Sequence, residues 1–197
     1  MYPIFSANSA DALILAIAYL VWVIPELIWS LRRRPDREAV VNDRWSSRVL
    51  LACIWLGISA AWACAYALPQ FAIRWERPAL FDLGILLMLS GMALRWYSIS
   101  VLGRFFTVQV AIQPHHDIVE RGPYRVLRHP SYSGALLTIL GFGLALGNIP
   151  ALLAALMPTA LGYAYRIAVE ERALLEALGD AYGRYMNHTK RIIPFVF

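Results

Sequence analysis

Long apolar stretches are the feature that most constrains what this chain can fold into. A helix needs about 20 apolar residues to cross a hydrocarbon core about 30 Å thick. Such a segment must bond its own backbone polar groups, which a helix does. The windows that meet or approach this length are 10–31, 49–68, 79–94, 131–147 and 151–169. The sequence therefore predicts an all-α integral membrane protein with about five transmembrane helices.

Composition and local signals agree with this prediction. Hydrophobic residues make up 59% of the chain and charged residues 16%, against about 25% charged residues in soluble domains. Residues 147–150, Gly-Asn-Ile-Pro, leave room only for a tight hairpin, so the fourth and fifth helices should be antiparallel. Leu174, Leu175 and Leu178 continue a helical apolar stripe, which predicts that the fifth helix extends to about Gly179.

The basic residues predict the orientation, because short cytoplasmic loops hold the excess of Lys and Arg. The opposite side has only Arg74 and Arg77. Five crossings place the termini on opposite sides, so we expect the N-terminus outside and the C-terminus in the cytoplasm. The basic residues on the predicted cytoplasmic side are Arg32, Arg33, Arg34, Arg37, Arg44, Arg48, Arg104, Arg121, Arg125, Arg128, Arg172, Arg184, Lys190 and Arg191.

Polar residues are concentrated in the second half of the chain. Residues 1–94 are predicted to form three transmembrane helices with little polar content at mid-membrane depth, which counts against a channel or transporter. Residues 95–197 are predicted to form the catalytic half, with a cytoplasmic pocket between the loop 103–130, the last helix and the tail. A connection of this length is usually functional or disordered, and its aromatic residues favour order.

The segment before the fourth helix suggests a binding site. Pro130 follows His129 in the position that proline favours at a helix start. Backbone N–H groups without helical partners are expected there, beside Arg125 and Arg128. Such a start suits an anionic or hydrogen-bond-accepting group.

Several motifs of the second half resemble the isoprenylcysteine carboxyl methyltransferase family and, more distantly, the phospholipid N-methyltransferases. The resemblance covers roughly residues 95–197, and the order and spacing of its motifs make it specific. The motifs are Gly-Pro-Tyr at 122–124, Arg-His-Pro-Ser-Tyr at 128–132 with Gly134, Glu170 and Glu171 followed by Leu174, and the late Tyr182, Tyr185 and Pro194.

The resemblance implies a methyltransferase that uses S-adenosylmethionine. Arg166 looks like the family's arginine that faces the methyl acceptor, and with Glu170 it is the expected catalytic pair. Gln109 is assigned mainly on its spacing to His116. The implied cofactor-binding residues are Gln109, His116, Asp117, Ile118, Val119, Tyr124, His129, Pro130, Ser131, Tyr132 and Glu170.

The chemistry of the implied reaction assigns roles to two of these residues. A carboxylate acceptor is already ionised at neutral pH and needs no general base. Arg166 would orient it through paired hydrogen bonds, and Glu170 would hold the cationic cofactor. O-methylation is therefore favoured. The acceptor is expected to be lipophilic and embedded in membrane lipid: an isoprenylcysteine-like carboxylate, a prenylated protein, a free isoprenoid or a lipid phenol.

Other interpretations remain open at this point. A membrane sterol-type reductase that uses NADPH has a similar Arg-His-Pro pattern, and a non-catalytic scaffold would bind no cofactor. Arg166 and Glu170 alone would be read as an ion pair at the membrane interface, and Tyr182 and Tyr185 as interfacial anchors. We predict no metal site, because the four histidines do not cluster, and no nucleic-acid partner. Gly141, within an apolar window, is expected to pack against another helix.

Overall fold

The computed structural model describes residues 8–32, 40–41, 43, 45–73, 77–112 and 117–193. Six helices lie in these ranges. They are α1 (Ser9–Arg32), α2 (Ser46–Ala67), α3 (Arg77–Leu102), α4 (Pro130–Leu146), α5 (Ile149–Leu178) and α6 (Asp180–His188). Each of the five apolar windows has become one of the helices α1 to α5.

Four of these helices are long and apolar enough to cross a membrane, and α4 is a shorter apolar helix. The four candidate spans are Ser9–Trp29, Ser46–Ala67, Arg77–Phe105 and Ile149–Leu178. With 17 residues, α4 is about 25 Å long at 1.5 Å per residue, which is slightly less than a typical hydrocarbon core. The total of about five crossings remains a prediction.

The third helix is longer than its apolar window indicated. We expected Arg95 to end it after residue 94, but α3 continues to Leu102. The charge of Arg95 does not end the helix because the carboxylate of Glu26 on α1 pairs with it. The helix ends where Gly103 adopts the left-handed conformation, with φ of +60°. The predicted boundary between residues 94 and 95 thus falls inside one helix.

Local signals at the hairpin act as predicted. Gly147 ends α4 with φ of +63°, and the Asn148 side chain accepts a hydrogen bond from Ala151 N at 3.0 Å to cap α5. The Asn148 amide also donates to Leu68 O at 2.8 Å, and Ile73 N donates to Gly147 O at 2.9 Å. These bonds join the α4–α5 hairpin to the α2–α3 connection.

The helices pack in two extensive pairs, α3 with α4 and α2 with α5. Small residues allow α3 and α4 to approach closely: a Cβ on Gly141 would lie 2.5 Å from Gly84 O. This confirms the predicted packing role of Gly141. The bundle core is aromatic as well as aliphatic, with Phe142 in contact with Trp22 on α1.

One short sheet was not expected from the sequence. Strand β1 (Val40–Val41) pairs antiparallel with β2 (Ala111–Ile112). The pairing joins the segment before α2 to the connection between α3 and α4. It therefore brings the chain around Asp43 to the region where most predicted site residues lie.

Candidate active site

A pocket opens at the end of the bundle where α4 begins. Its walls come from the end of α3, residues 105–112 and 117–119, the start of α4, the second half of α5, and α6. The empty space measures about 830 Å³, part of it open to solvent. Apolar side chains line the pocket together with a few polar and charged groups, as is usual in small-molecule sites.

Most of the residues predicted to bind the cofactor line this pocket. Arg166 also lines it. Pro130 is buried as the first residue of α4 and is not part of the wall. His116 lies outside the described residues. The predicted cofactor-binding residues that line the pocket are Gln109, Asp117, Ile118, Val119, Tyr124, His129, Ser131, Tyr132 and Glu170.

Glu170 presents a carboxylate to the pocket. Its Oε2 accepts a hydrogen bond from Tyr132 Oη at 2.5 Å, and the Tyr132 ring stacks on His129 with centroids 5.4 Å apart. The Glu170 side chain is 27% exposed. Its other oxygen, Oε1, has no hydrogen-bond partner within the described part of the chain. Glu170 thus brings a negative charge to the pocket, with one oxygen that makes no hydrogen bond to the described residues.

Arg166 is held by several elements at once. Its Nη1 donates to Asp43 Oδ1 at 2.6 Å and to Ser46 Oγ at 3.1 Å. Its Nη2 donates to Val108 O at 2.7 Å, and its Nε donates to Tyr132 Oη at 3.3 Å. The guanidinium therefore joins α5 to the start of α2, to the connection after α3 and to α4.

This bonding changes the role expected for Arg166. A guanidinium has five N–H groups, and four of those on Arg166 donate to protein atoms. Glu170 Oε2 lies a further 4.0 Å from Nε. Since one N–H group remains, paired hydrogen bonds to an acceptor carboxylate would require at least one of these partners to be displaced. The geometry instead favours a positioning role for Arg166 at the wall of the pocket.

Asp43 is a site residue that the sequence reasoning missed. It accepts from Ser47 Oγ at 2.6 Å at the start of α2 and from Val110 N at 3.1 Å. Burial raises the pKa of Asp43, but the hydrogen bonds from Ser47 and Val110 and the charge of Arg166 outweigh it and leave the pKa below its usual value. Its position before Ser46 and Ser47 could have indicated a helix cap. Its pairing with Arg166, across 123 residues, left no signal in the sequence.

Glu171 faces away from Glu170 and lies in a buried ionic cluster. Its Oε1 accepts from Arg128 Nε at 2.8 Å and lies 3.3 Å from His129 Nε2, while Oε2 accepts from Arg191 Nε at 3.0 Å. Breaking such a buried pair by removing one partner is costly, because it leaves a charge without compensation. Glu171 thereby links α5 to the start of α4 and to the tail.

The tail pairs with the backbone just before α4, beside the helix start that was expected to bind an anion. Arg128 N donates to Lys190 O at 2.7 Å, and His129 N donates to Arg191 O at 3.0 Å. Lys190 N donates back to Val126 O at 2.9 Å. The backbone N–H groups of Arg128 and His129 therefore bind the tail, so the expected anion contact must come from other atoms.

The late tyrosines are buried in the wall of the pocket and are not interfacial anchors. Tyr182 and Tyr185 both lie on α6 and line the site. Tyr185 Oη donates to Tyr124 O at 2.8 Å. Burial raises the pKa of Tyr124, Tyr182 and Tyr185, so all three are neutral at physiological pH. The tail thus contributes α6 to the wall of the pocket.

A second, apolar cavity adjoins the pocket within the bundle. We call it the groove; it has about 1,150 Å³ of empty space, part of it open at the surface. Phe106, Thr107, Tyr132 and Arg166 line both the groove and the pocket. Its apolar wall comes mainly from α1, α2 and α4 and includes Trp22, Leu50, Ile54, Trp55, Ile58, Ala135 and Ile139.

The groove has one ion pair in its wall. Glu26 on α1 accepts from Arg95 on α3 through both carboxylate oxygens, with Arg95 Nη2 to Glu26 Oε2 at 2.7 Å. Arg95 Nη1 also donates to Ser131 O at 3.3 Å. Neither residue was expected in the site, because Glu26 and Arg95 lie 69 residues apart in sequence, on different helices.

In the described ranges, no three His, Cys, Asp or Glu side chains lie close enough to hold a metal ion.

Comparisons with known proteins agree with this architecture. The chain is 32% identical over 117 residues to protein-S-isoprenylcysteine O-methyltransferase B of Arabidopsis thaliana, covering 58% of this chain and 59% of that one. It is 32% identical over 116 residues to the Saccharomyces cerevisiae protein-S-isoprenylcysteine O-methyltransferase, covering 58% and 48%. The chain therefore spans about half to three-fifths of the length of these curated relatives.

A solved structure has a similar fold. The eukaryotic intramembrane Ras methyltransferase ICMT (isoprenylcysteine carboxyl methyltransferase) matches with a TM-score of 0.58 and 28% sequence identity, over 80% of this chain and 55% of that one. This match confirms the predicted class, an all-α multi-pass integral membrane protein, and the resemblance stated above. The phospholipid methyltransferase family profile matches residues 79–181. Because that range is just over half of the chain and contains α3, α4 and α5, the chain belongs to the phospholipid methyltransferase family.

Proposed function

We propose that this protein transfers a methyl group from S-adenosylmethionine to an oxygen of a lipophilic, membrane-embedded acceptor. One observation carries the proposal: the pocket, whose wall includes several charged and polar side chains, and the more apolar groove share a wall at Tyr132 and Arg166. A soluble, charged cofactor and a lipid-like acceptor have opposite solubilities. Because the two cavities adjoin, the cofactor could enter the pocket from water while the acceptor enters the groove from the membrane.

The pocket suits the chemical groups of S-adenosylmethionine. The Glu170 carboxylate provides the negative charge that a sulfonium or an amino group requires. Tyr182 and Gln109 provide polar groups, and Leu174 and Leu178 provide an apolar wall for the adenine. These residues would hold the cofactor, which when bound would supply a methyl group carried on a sulfonium, with the sulfur as the leaving group for transfer to the acceptor oxygen.

The protein's contribution is to position the acceptor and to exclude water. An ionised carboxylate attacks without loss of a proton, so the residues at the shared wall need not act as a base. Arg166 holds Val108 and Tyr132 in place and thereby maintains the wall between the cavities. Holding the reacting atoms in line at this point supplies a large part of the rate acceleration.

The relatives support a carboxylate as the acceptor group. Those compared above are named protein-S-isoprenylcysteine O-methyltransferases. We therefore assign a prenylcysteine-like carboxylate as the preferred acceptor, on a small molecule or on a prenylated protein. We also place the pocket on the cytoplasmic side, with the N-terminus outside, because of the distribution of basic residues.

Cofactor binding is the decisive test. We expect S-adenosylmethionine and its demethylated product to raise the Tm of the detergent-solubilised protein, because a ligand that binds only the folded state stabilises it. Glu170→Gln should weaken this protection, since it removes the negative charge that Glu170 brings to the pocket. Glu176→Gln is the matched control, because Glu176 is an exposed residue of α5 outside the pocket.

Two results would overturn the proposal. Protection by NADPH but not by S-adenosylmethionine would indicate a membrane reductase. Protection by neither would indicate a scaffold. If Glu170→Gln is protected as well as Glu176→Gln, the pocket holds the cofactor without Glu170, and that assignment is wrong. Transfer of labelled methyl to carboxylate, phenol and amine amphiphiles then identifies the acceptor group.

A further inference from the structure

Tyr163 carries a buried polar group that the fold leaves unused. It lies on α5, one helical turn before Arg166, is 3% exposed and lines the groove. Its ring packs against Tyr132 with centroids 4.9 Å apart. The Tyr163 hydroxyl has no hydrogen-bond partner among the residues that the structure describes, whereas Tyr132 Oη donates to Glu170. The hydroxyl is not sealed inside the protein, because Tyr163 lines the groove, so it can donate to a ligand bound there.

The polar residues around the groove are otherwise paired. Arg95 is balanced by Glu26, and Arg166 is balanced by Asp43. Three of the five Arg95 N–H groups donate to Glu26 and Ser131. Arg95 can therefore still donate two hydrogen bonds while its pair with Glu26 remains intact. The groove thus offers an incoming head group hydrogen-bond donors without a net positive charge.

The rest of the groove determines what such a ligand looks like. Its wall is apolar over Trp22, Ile54, Trp55 and Ile58, on α1 and α2, which suits a hydrocarbon chain. A molecule with its chain there would present its head group to Tyr163 and Arg95. Because the available Arg95 groups only donate and a tyrosine hydroxyl donates well, a head group with acceptor oxygens fits this end best.

We propose that the Tyr163 hydroxyl donates a hydrogen bond to the carboxylate of the methyl acceptor, with an N–H of Arg95 as the second donor. Tyr163 is then a specificity-determining residue that favours a free carboxylate over its amide. The inference rests on the proposed function and refines it, because it assigns the acceptor contact to Tyr163 and Arg95 and leaves Arg166 to hold the wall.

The test compares the binding of two amphiphiles to the full-length protein in detergent. The probes are an S-prenylated N-acetylcysteine and its carboxamide, and calorimetry without the cofactor gives both values of Kd. Tyr163→Phe removes only the hydroxyl. Tyr97→Phe, on α3 and 55% exposed, is the matched control because Tyr97 lines neither cavity. We expect Tyr163→Phe to weaken carboxylate binding about tenfold, as for the loss of a hydrogen bond to a charged group.

Other readouts separate this role from a structural one. The carboxamide should bind Tyr163→Phe and the wild type within about twofold, and the Kd for S-adenosylmethionine should not change. In methyl transfer, the loss should be in KM for the acceptor, not in kcat. Equal carboxylate affinity of Tyr163→Phe and Tyr97→Phe would overturn the inference, as would a wild type that does not bind the carboxylate.

The outcomes also separate the inference from the proposed function. If the wild type binds the carboxylate through Tyr163 but transfers no methyl group to any acceptor, the proposed function fails and the subsite stands. If methyl transfer occurs and Tyr163→Phe is indistinguishable from Tyr97→Phe, the function stands and the subsite is wrong.

Discussion

Removing the charge of Asp43 tests whether Arg166 is a structural junction. In Asp43→Asn, Arg166 loses its closest counter-charge. The new amide nitrogen would also replace an oxygen that accepts hydrogen bonds from Ser47 N at 3.3 Å and from Ser47 Oγ at 2.6 Å. Loss of one partner of a buried ion pair costs about 3–5 kcal/mol. The asparagine oxygen still accepts from Arg166, and Glu170 lies 4.0 Å away, so we expect the lower end, about 3 kcal/mol.

This cost is large enough to measure in a thermal melt. For a chain of this size, about 1 kcal/mol corresponds to about 2–4 °C in Tm, so Asp43→Asn should melt about 6–12 °C lower. Intrinsic tryptophan fluorescence in detergent can follow the transition. Asp82→Asn is the matched control, because Asp82 is an exposed residue of α3. Affinity for S-adenosylmethionine should also fall, since Asp43 holds Val110 in the pocket wall.

A double-mutant cycle tests the reasoning directly. Arg166→Met removes the second charge, so the double variant should be more stable than the sum of the single losses predicts. We expect a coupling of at least about 1.5 kcal/mol, within the range for residues in direct contact. Additive losses, or an Asp43→Asn shift within about 2 °C of Asp82→Asn, would refute the junction.

Three further predictions concern the pH dependence of stability, helix packing and membrane topology. Because the pKa of Asp43 is lowered on folding, its stabilising effect should be lost as the pH falls below about 4, and Tm measured against pH should be flatter for Asp43→Asn in this range. Gly141→Ala should cost about 1–3 kcal/mol in a thermal melt, since its Cβ would lie 2.5 Å from Gly84 O. Gly183→Ala, in α6 with open space around it, should instead gain about 0.5–1 kcal/mol; equal effects would contradict the packing argument. A single cysteine at position 121 should react only with a reagent on the cytoplasmic side, and labelling from outside would reverse the topology.

The helices were predictable because their signals are local. Each apolar window is a property of about 20 consecutive residues, and lipid leaves such a segment few alternatives to a helix. The end of α4 was equally local, since Gly147 can adopt the left-handed conformation without strain. Gly103 ends α3 in the same way, but the apolar window stopped before Arg95, whose charge is neutralised by Glu26, 69 residues earlier.

The candidate site was predictable only where its residues belong to a motif. Tyr124, His129, Tyr132 and Glu170 were assigned through the family resemblance, and the structure brings them to one pocket. Their individual roles remain predictions. The expectation that Arg166 pairs with the acceptor came from the same resemblance and from the chemistry of a guanidinium, and the sequence did not show that other protein atoms already accept from its N–H groups.

The sequence by itself determined the membrane-embedded helical class and the chemical types present in the second half of the chain. It did so because hydrophobic length and motif spacing are properties of neighbouring residues. Tertiary structure decided which charges neutralise each other and which polar groups stay available. Asp43 pairs with Arg166 across 123 residues, whereas the hydroxyl of Tyr163, three residues before Arg166, makes no hydrogen bond to the described residues and lines the groove. These outcomes depend on how α2, α4 and α5 pack together, and no local pattern encodes that packing.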